Sequence, residues 1–321
     1  MLTRNHKIRA RKDKRNRKSK RKYSRTRNSP DMVFKKIGQV DGNSKYPIYD
    51  VQEKGIYVTD YYQSKGTYIG NVKDNQRQGK GIMKYDDGDI YDGHWKNNVR
   101  HGKGIMKYKN GDIYDGHWER DKRDGKGIMK YENGTIYDGD WEKDKQNGKG
   151  IQKFKDGFIY NGDWENNVRN GKAIVKYKDG STSTGQWKNG VKDGYNTYYY
   201  TNGTTYTGQW KDNEKDGKGK NEFDNGDIYD GHFEKGKRNG KGKMTYVNGN
   251  IYNGEWKDRQ MHGQGKMTYK NGDVYEGSWE NDKQNGIGIM KYANGKIDVG
   301  HWENNIHLKN SKYHSFKICK W

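Results

Sequence analysis

The residue types that most often carry chemistry are scarce here and stand in the wrong places. Four histidines, His94, His117, His232 and His301, fall in one slot of a repeating pattern, and a metal would need ligands that converge. If successive units each add two strands, that slot recurs every ~10 Å, whereas zinc holds its ligands at about 2 Å. Asp86-Asp87-Gly88-Asp89 has the composition of a calcium loop but lacks its spaced ligands and closing glutamate, so it reads as a turn. Cys319 is the single cysteine, which excludes an internal disulfide and a cysteine-based zinc site. Paired glycines recur without the following helix that a phosphate cradle requires. No nucleophile elbow, P-loop or kinase motif is present. The expectation is a protein that is not an enzyme, with no cofactor, no metal and no small-molecule substrate.

Two other groups of residues could recognise a partner. One is a set of regularly spaced rings: Tyr91, Trp95, Tyr114, Trp118, Tyr137, Trp141, Tyr160, Trp164, Trp187, Tyr198, Tyr199, Tyr206, Trp210, Tyr252, Trp256, Tyr275 and Trp279. They form a candidate aromatic binding surface, although core packing is the first expectation for each. The other is a basic arm, residues 1–28, with 14 Lys/Arg against one acid, Asp13. Its centre comprises Arg9, Arg11, Lys12, Lys14, Arg15, Arg17, Lys18, Lys20, Arg21 and Lys22. Of the net charge of +22, only +9 remains once the arm is removed. Blocks of like charge are disordered and often serve as interaction tails. Phosphates of nucleic acid, a nuclear import receptor and anionic lipid all fit such an arm, as does a solvated tail without a partner.

The rings are placed by a repeat. Tyr-x-Gly-x-Trp stands at Tyr91/Gly93/Trp95 and returns every 23 residues, at Tyr114, Tyr137, Tyr160, Tyr206, Tyr252 and Tyr275. Weaker copies keep the register at Tyr68/Gly70/Val72, Ser183/Gly185/Trp187, Tyr229/Gly231/Phe233 and Asp298/Gly300/Trp302. Each unit also carries a Gly-x-Gly pair, as at Gly102/Gly104, then an aromatic, then a turn such as Asn110-Gly111. Period-two alternation and Asn-Gly or Asp-Gly dipeptides predict hairpins whose tight turns are those dipeptides, with a longer polar turn at Asn97–His101. Gly102, Gly104, Met106 and Tyr108 are expected on one face, with Tyr and Trp rings lying over the glycine pair. The fold class is all-β: an elongated, twisted, single-layer antiparallel meander of about eleven 23-residue hairpins. At about 4.8 Å per strand the ribbon is on the order of 100 Å long. With only 28% hydrophobic residues and a mean hydropathy of −1.49, the 27 Tyr and 10 Trp must carry the stability.

These residues resemble the MORN repeat (membrane occupation and recognition nexus) family across residues 66–303. The resemblance implies twisted hairpin arrays that act as scaffolds or dimerising modules, some of them associated with phospholipid membranes. Residues 29–65 are expected to add capping strands, and residues 304–321 to cap the other end through Leu308, Phe316, Ile318 and Trp321. One unit departs from the pattern. Ala173 and then Asn196 replace the second glycine, and Tyr195, Tyr198, Tyr199 and Tyr200 crowd one strand, which reads either as a contact patch or bend, or as drift. The expected function is a repeat scaffold that binds protein partners through an extended β surface, with a homodimer among the options. The alternatives are peripheral binding to anionic lipid and nucleic-acid tethering through the arm. No apolar run reaches the ~20 residues of a membrane helix, and no signal peptide stands at the N-terminus. The expected location is intracellular, cytoplasmic or membrane-peripheral, with nuclear entry through the arm.

Overall fold

Period-two alternation of rings and charges leaves one structural solution, a meander in which every strand pairs with its neighbours in the chain. The computed structural model describes residues 66–308, and before them the backbone of three strands. Twenty-five strands, β1–β25 in chain order, form one sheet. β1 (Phe34–Gln39), β2 (Pro47–Val51) and β3 (Ile56–Asp60) pair in turn and join the first repeat through β4 (Gly66–Lys73). Each later unit is a strand of seven residues, such as β6 (Ile90–Lys96), and one of nine, such as β7 (Val99–Lys107). β25 (Ile306–Leu308) closes the described sheet. The basic arm, Phe316, Ile318, Cys319 and Trp321 lie outside the described residues.

The turns exchange roles relative to the sequence expectation. The tight two-residue turn is Asn97–Asn98, and both residues are left-handed, with φ of 49° and 68°. Arg120–Asp121 and Lys143–Asp144 do the same. Mirror-image turns of this kind match the right-handed twist of the strands, which is why even arginine and lysine are held there. The expected dipeptides such as Asp87-Gly88 and Asn110-Gly111 instead sit in four-residue loops, whereas Asn189-Gly190 is a tight turn. In Asp86–Asp89 only Gly88 is left-handed, Gly88 N donates to Tyr85 O, and the Asp87 carboxylate accepts the Asp89 amide.

The tight-turn end of each hairpin is fastened to the next unit, and in most units the loop end is too. At the tight-turn end, the Asp121 carboxylate accepts the Arg100 amide, and Asp121 N donates to Arg100 O. At the loop end, the Asp89 carboxylate accepts the Lys109 amide.

The glycine pair serves two purposes rather than one. Opposite His94 the nine-residue strand makes a bulge, since Gly93 pairs with Gly104 but Trp95 pairs with Arg100. Gly102 lies in that bulge at φ +65°, so it supplies backbone freedom and is not covered by a ring. Gly104 supplies space: a Cβ there would meet the Tyr91 hydroxyl at 2.3 Å. Tyr91 folds down over Gly93 and Gly104 and donates its hydroxyl hydrogen to His94 O. Trp95 then stands edge-on to Tyr91 and to Tyr68 of the preceding unit, with centroids at 5.1 and 5.5 Å, and its indole N–H donates to Gly81 O.

Repetition makes an edge-to-face column of rings along each run of regular units, in which each contact contributes ~0.5–1.5 kcal/mol beyond burial. Tyr91, Tyr114, Tyr137 and Tyr160 are fully buried, and no second layer is needed to cover them because each ring is sealed by the backbone beneath and the rings beside it. This is how a chain so poor in aliphatic residues holds a core.

Gly116 tests that design. A Cβ on it would lie 2.5 Å from the Cα of Gly127 on the paired strand, a backbone atom that cannot swing aside. Gly116→Ala is therefore expected to cost ~3 kcal/mol, the upper range for overpacking. The check is a denaturant titration followed by tryptophan fluorescence, where an unchanged midpoint would refute the account.

Candidate protein-binding surface

The two faces of the sheet have different owners. The inner face belongs to the protein's own rings. Of the candidate aromatic residues, all but Tyr198 and Tyr199 lie in the buried core: Trp95, Trp118, Trp141, Trp164, Trp187, Tyr206, Trp210, Tyr252, Trp256, Tyr275 and Trp279 join the four tyrosines above. Tyr198 is half-buried, and Tyr199 is exposed.

The inner face also holds a row that sequence reading missed. One residue per unit is paired across the hairpin with the tryptophan, and in several units it lies over the tryptophan of the next. The Arg100 guanidinium sits 4.3 Å from the Trp118 ring and Arg123 4.3 Å from Trp141, and Lys192 Nζ is 3.9 Å from Trp210. His307 stacks on Trp302 at 4.8 Å. The slot keeps the 23-residue period, but arginine, glutamine, lysine, methionine and histidine alternate in it. No single residue type therefore announced it.

The ring column breaks at the divergent unit, leaving two separate aromatic clusters, Tyr68–Trp187 and Tyr206–Trp302. There Ser183 replaces the tyrosine, and Asn196 occupies the space a ring would fill. The substitution is chemically matched. Elsewhere the tyrosine hydroxyl satisfies a carbonyl three residues on, and here Asn196 Nδ2 donates to that same carbonyl, Gln186 O, at 3.0 Å. Trp187 and Trp210, the two tryptophans whose acceptor glycine has become Ala173 or Asn196, lack an indole partner.

Beside the break, Tyr177, Tyr198 and Trp210 surround the Lys192 amine. Burial lowers its pKa to about 8, and among the described residues no carboxylate pairs with it. Burial does the same to Lys215, also about 8, helped by repulsion from Lys192 and Arg259. The core tyrosines move the opposite way: burial pushes Tyr68 and Tyr275 up to about 12, and Tyr91, Tyr114, Tyr137 and Tyr160 higher still.

The outer face is open and changes character along the array. In the early units β7 points Lys103, Ile105 and Lys107 outward beside Asp92 and His94 of β6 and their equivalents. In the middle, β14 (Thr182–Lys188) presents Thr182, Thr184 and Gln186, and β15 (Val191–Tyr199) presents Tyr195, Thr197 and Tyr199. β16 (Thr205–Lys211) presents Thr205, Thr207 and Gln209. These nine positions form one uncharged block. Tyr195 and Tyr199 are 52% and 47% exposed, and Ile174 at its edge is 62% exposed, so this is the widest apolar offering on the outer face of the central units. Later strands return to charge, with Lys220, Asp230 and Lys243 in succession.

His94, His117, His232 and His301 stay one per unit, and among the described residues no group of three or more His, Cys, Asp or Glu could hold a metal ion. No helix among the described residues is long and apolar enough to cross a membrane.

No curated protein matches this chain. Among solved structures it is similar to the TCP10 domain of Danio rerio CPAP in complex with a peptide of Danio rerio STIL, at 14% identity over 70% of this chain and 96% of that one, with a TM-score of 0.39. It is also similar to the TCP10c domain of Drosophila melanogaster Sas-4, at 16% identity over 49% and 93% with a TM-score of 0.30. The MORN repeat model matches ten consecutive segments, from 68–90 to 275–297, in the register of the tyrosine slot. With that match along most of its length and a ring column that repeats in the same register, the chain belongs to the MORN repeat family.

Proposed function

We propose that this chain is a non-enzymatic scaffold that binds protein partners through the outer face of its sheet. One observation carries the reading: the inner face is filled by the protein's own rings, whereas the outer face leaves large apolar side chains in solvent on a backbone paired strand to strand on both sides. Ile174, Tyr195, Tyr199, Ile287 and Val299 are all at least 47% exposed. Contiguous exposed apolar surface with a polar rim marks interaction sites. A rigid sheet loses little conformational freedom on binding, which favours affinity.

The test isolates the full-length chain and a version lacking residues 1–28 from cells. Each is then challenged with anionic liposomes, neutral liposomes and duplex DNA at near-physiological salt. Both versions are expected to keep the same protein partners, and lipid or DNA binding, where it occurs, to vanish with the arm. A shortened chain that pellets with anionic liposomes and retains no protein would overturn the reading, since the repeats themselves would then be recognising membrane.

A further inference from the structure

The geometry points to a specific docking site within that proposed protein-binding function, on which it rests: the uncharged block centred on Tyr195 and Tyr199 takes an extended peptide segment of a partner, uncharged at its centre and acidic at both ends. Three observations converge on it.

The first is composition. In the surrounding units the equivalent nine positions carry lysine, aspartate, glutamate or histidine, yet in β14, β15 and β16 none of the nine does, and charge returns only at the tight-turn end with Lys188 and Lys211. Interface cores are depleted of charge and enriched in aromatics. Tyrosine gives large contact area for few rotatable bonds, and neighbouring hydroxyl and amide groups supply adaptable hydrogen bonds. Tyr195 and Tyr199 with Thr184, Gln186, Thr197 and Gln209 have this make-up. The alternation of the strand puts both rings on the solvent side, about 13 Å apart with Thr197 between them.

The second is the rim. On one side β13 (Val168–Lys176) points Lys172 and Lys176 outward on either side of exposed Ile174, paired directly with Gln186, Thr182 and Thr184. On the other, β17 (Glu214–Glu222) points Lys218, Lys220 and Glu222 outward, and although Lys220 beside Thr207 pairs with Glu222, the edge keeps a net positive charge through Lys218. A neutral centre between two basic edges is complemented by a segment that is acidic at both ends. It disfavours a second copy of this chain, which would set lysine against lysine.

The third is size. β13 to β17 spans four strand spacings, ~19 Å, which about six extended residues cross. A patch this narrow suits a segment better than a folded face, since stable interfaces between folded proteins occupy ~800 Å² on each side.

The experiment pans phage-displayed random peptides of about twelve residues, twice the span, on the immobilised full-length chain. Recovered peptides are synthesised and titrated by fluorescence anisotropy against the wild type, the double variant Tyr195→Ala/Tyr199→Ala, and the double variant Lys103→Ala/Lys107→Ala. The last alters the corresponding outward positions of an ordinary unit. Recovered peptides are expected to have uncharged centres with Asp or Glu at both ends. They should bind the tyrosine variant at least about tenfold more weakly, and the control variant within about twofold. Their affinity should fall as salt rises, because the rim contacts are exposed.

Circular dichroism checks that each variant folds. Thr197→Asp, which adds a charge to the centre without removing a ring, gives a second route to the same loss. Peptides that bind the tyrosine variant as tightly as the wild type would overturn the site while leaving the protein-binding reading intact. Recovery of no peptide, or of peptides with basic ends, would overturn it too. Self-association in sedimentation that Tyr195→Ala/Tyr199→Ala abolishes would give the patch to a second copy instead. A chain that recovers no peptide and also keeps no protein from cells would sink both the site and the function beneath it.

Discussion

Raising the pH above 10 is expected to unfold this protein in a steep alkaline transition, with tyrosinate absorbance and loss of β-sheet dichroism appearing together. The cause lies in the ring column. In the unfolded chain a tyrosine ionises near its ordinary pKa of 10.0, but burial raises Tyr68 and Tyr275 to about 12 and the other fully buried tyrosines of the column, from Tyr91 to Tyr252, further. A phenol whose folded pKa is raised stabilises the fold fully below pH 10. That contribution is lost as pH climbs toward the folded value, because the unfolded state releases the proton first. Each repeat therefore loses ~1.4 kcal/mol per pH unit above 10. Neighbouring repeats stabilise one another in arrays, so the same loss in nearly every unit accumulates.

Lys192 and Lys215 act with the opposite sign. Their folded pKa of about 8 lies below the ordinary 10.5, so the buried charge is a cost at neutral pH that fades between about pH 8 and 10.5. Stability should thus rise from pH 8 toward 10 before it collapses. Lys192→Met should flatten that rise and add ~1–2 kcal/mol at pH 7, as replacing a buried charge with an apolar side chain of similar volume does. Tyrosines that titrate near pH 10 with the dichroism intact would show that the rings are not sealed in the folded array.

The second large effect is a pair of substitutions that harm singly and cancel together. Asn196→Gly alone should destabilise by ~2–3 kcal/mol, because it empties a fully buried site and leaves Gln186 O without its donor. Ser183→Tyr alone should cost about as much through overpacking, since the Asn196 side chain already occupies the volume beside Gly185. Combined, they rebuild the pattern of the other units. The ring covers two glycines, its hydroxyl takes over Gln186 O, and the carbonyl at position 196 becomes available to the Trp210 indole, which has no partner in the native protein. A double-mutant cycle by urea unfolding should return a favourable coupling of ~2–3 kcal/mol. Additive effects would mean that the divergent unit is not a matched exchange of a ring for an amide.

Much of this protein was written in one dimension. The 23-residue spacing of Tyr91, Gly93 and Trp95 required hairpins in register, and the bare glycines required rings above them. These are local steric demands that a strand satisfies or fails by itself. Three features depended on what the chain meets in space. The tight turns fell on Asn97–Asn98 and Arg120–Asp121 rather than on the expected glycine dipeptides. The carboxylate or amide of the second turn residue fastens the neighbouring unit, and twist compels left-handed residues at that end whatever their type. The slot at Arg100, Lys192 and His307 stayed hidden because its rule is contact with a neighbouring ring, which several side chains satisfy. Above all, the fold decided which of the candidate rings are sealed in the core. Tyr and Trp stood out as the candidate surface because they are the largest repeated groups. In three dimensions their size is the reason most of them are buried, since no other residues could seal the sheet, and of the candidates only Tyr199 stands exposed, beside Tyr195 on the outer face.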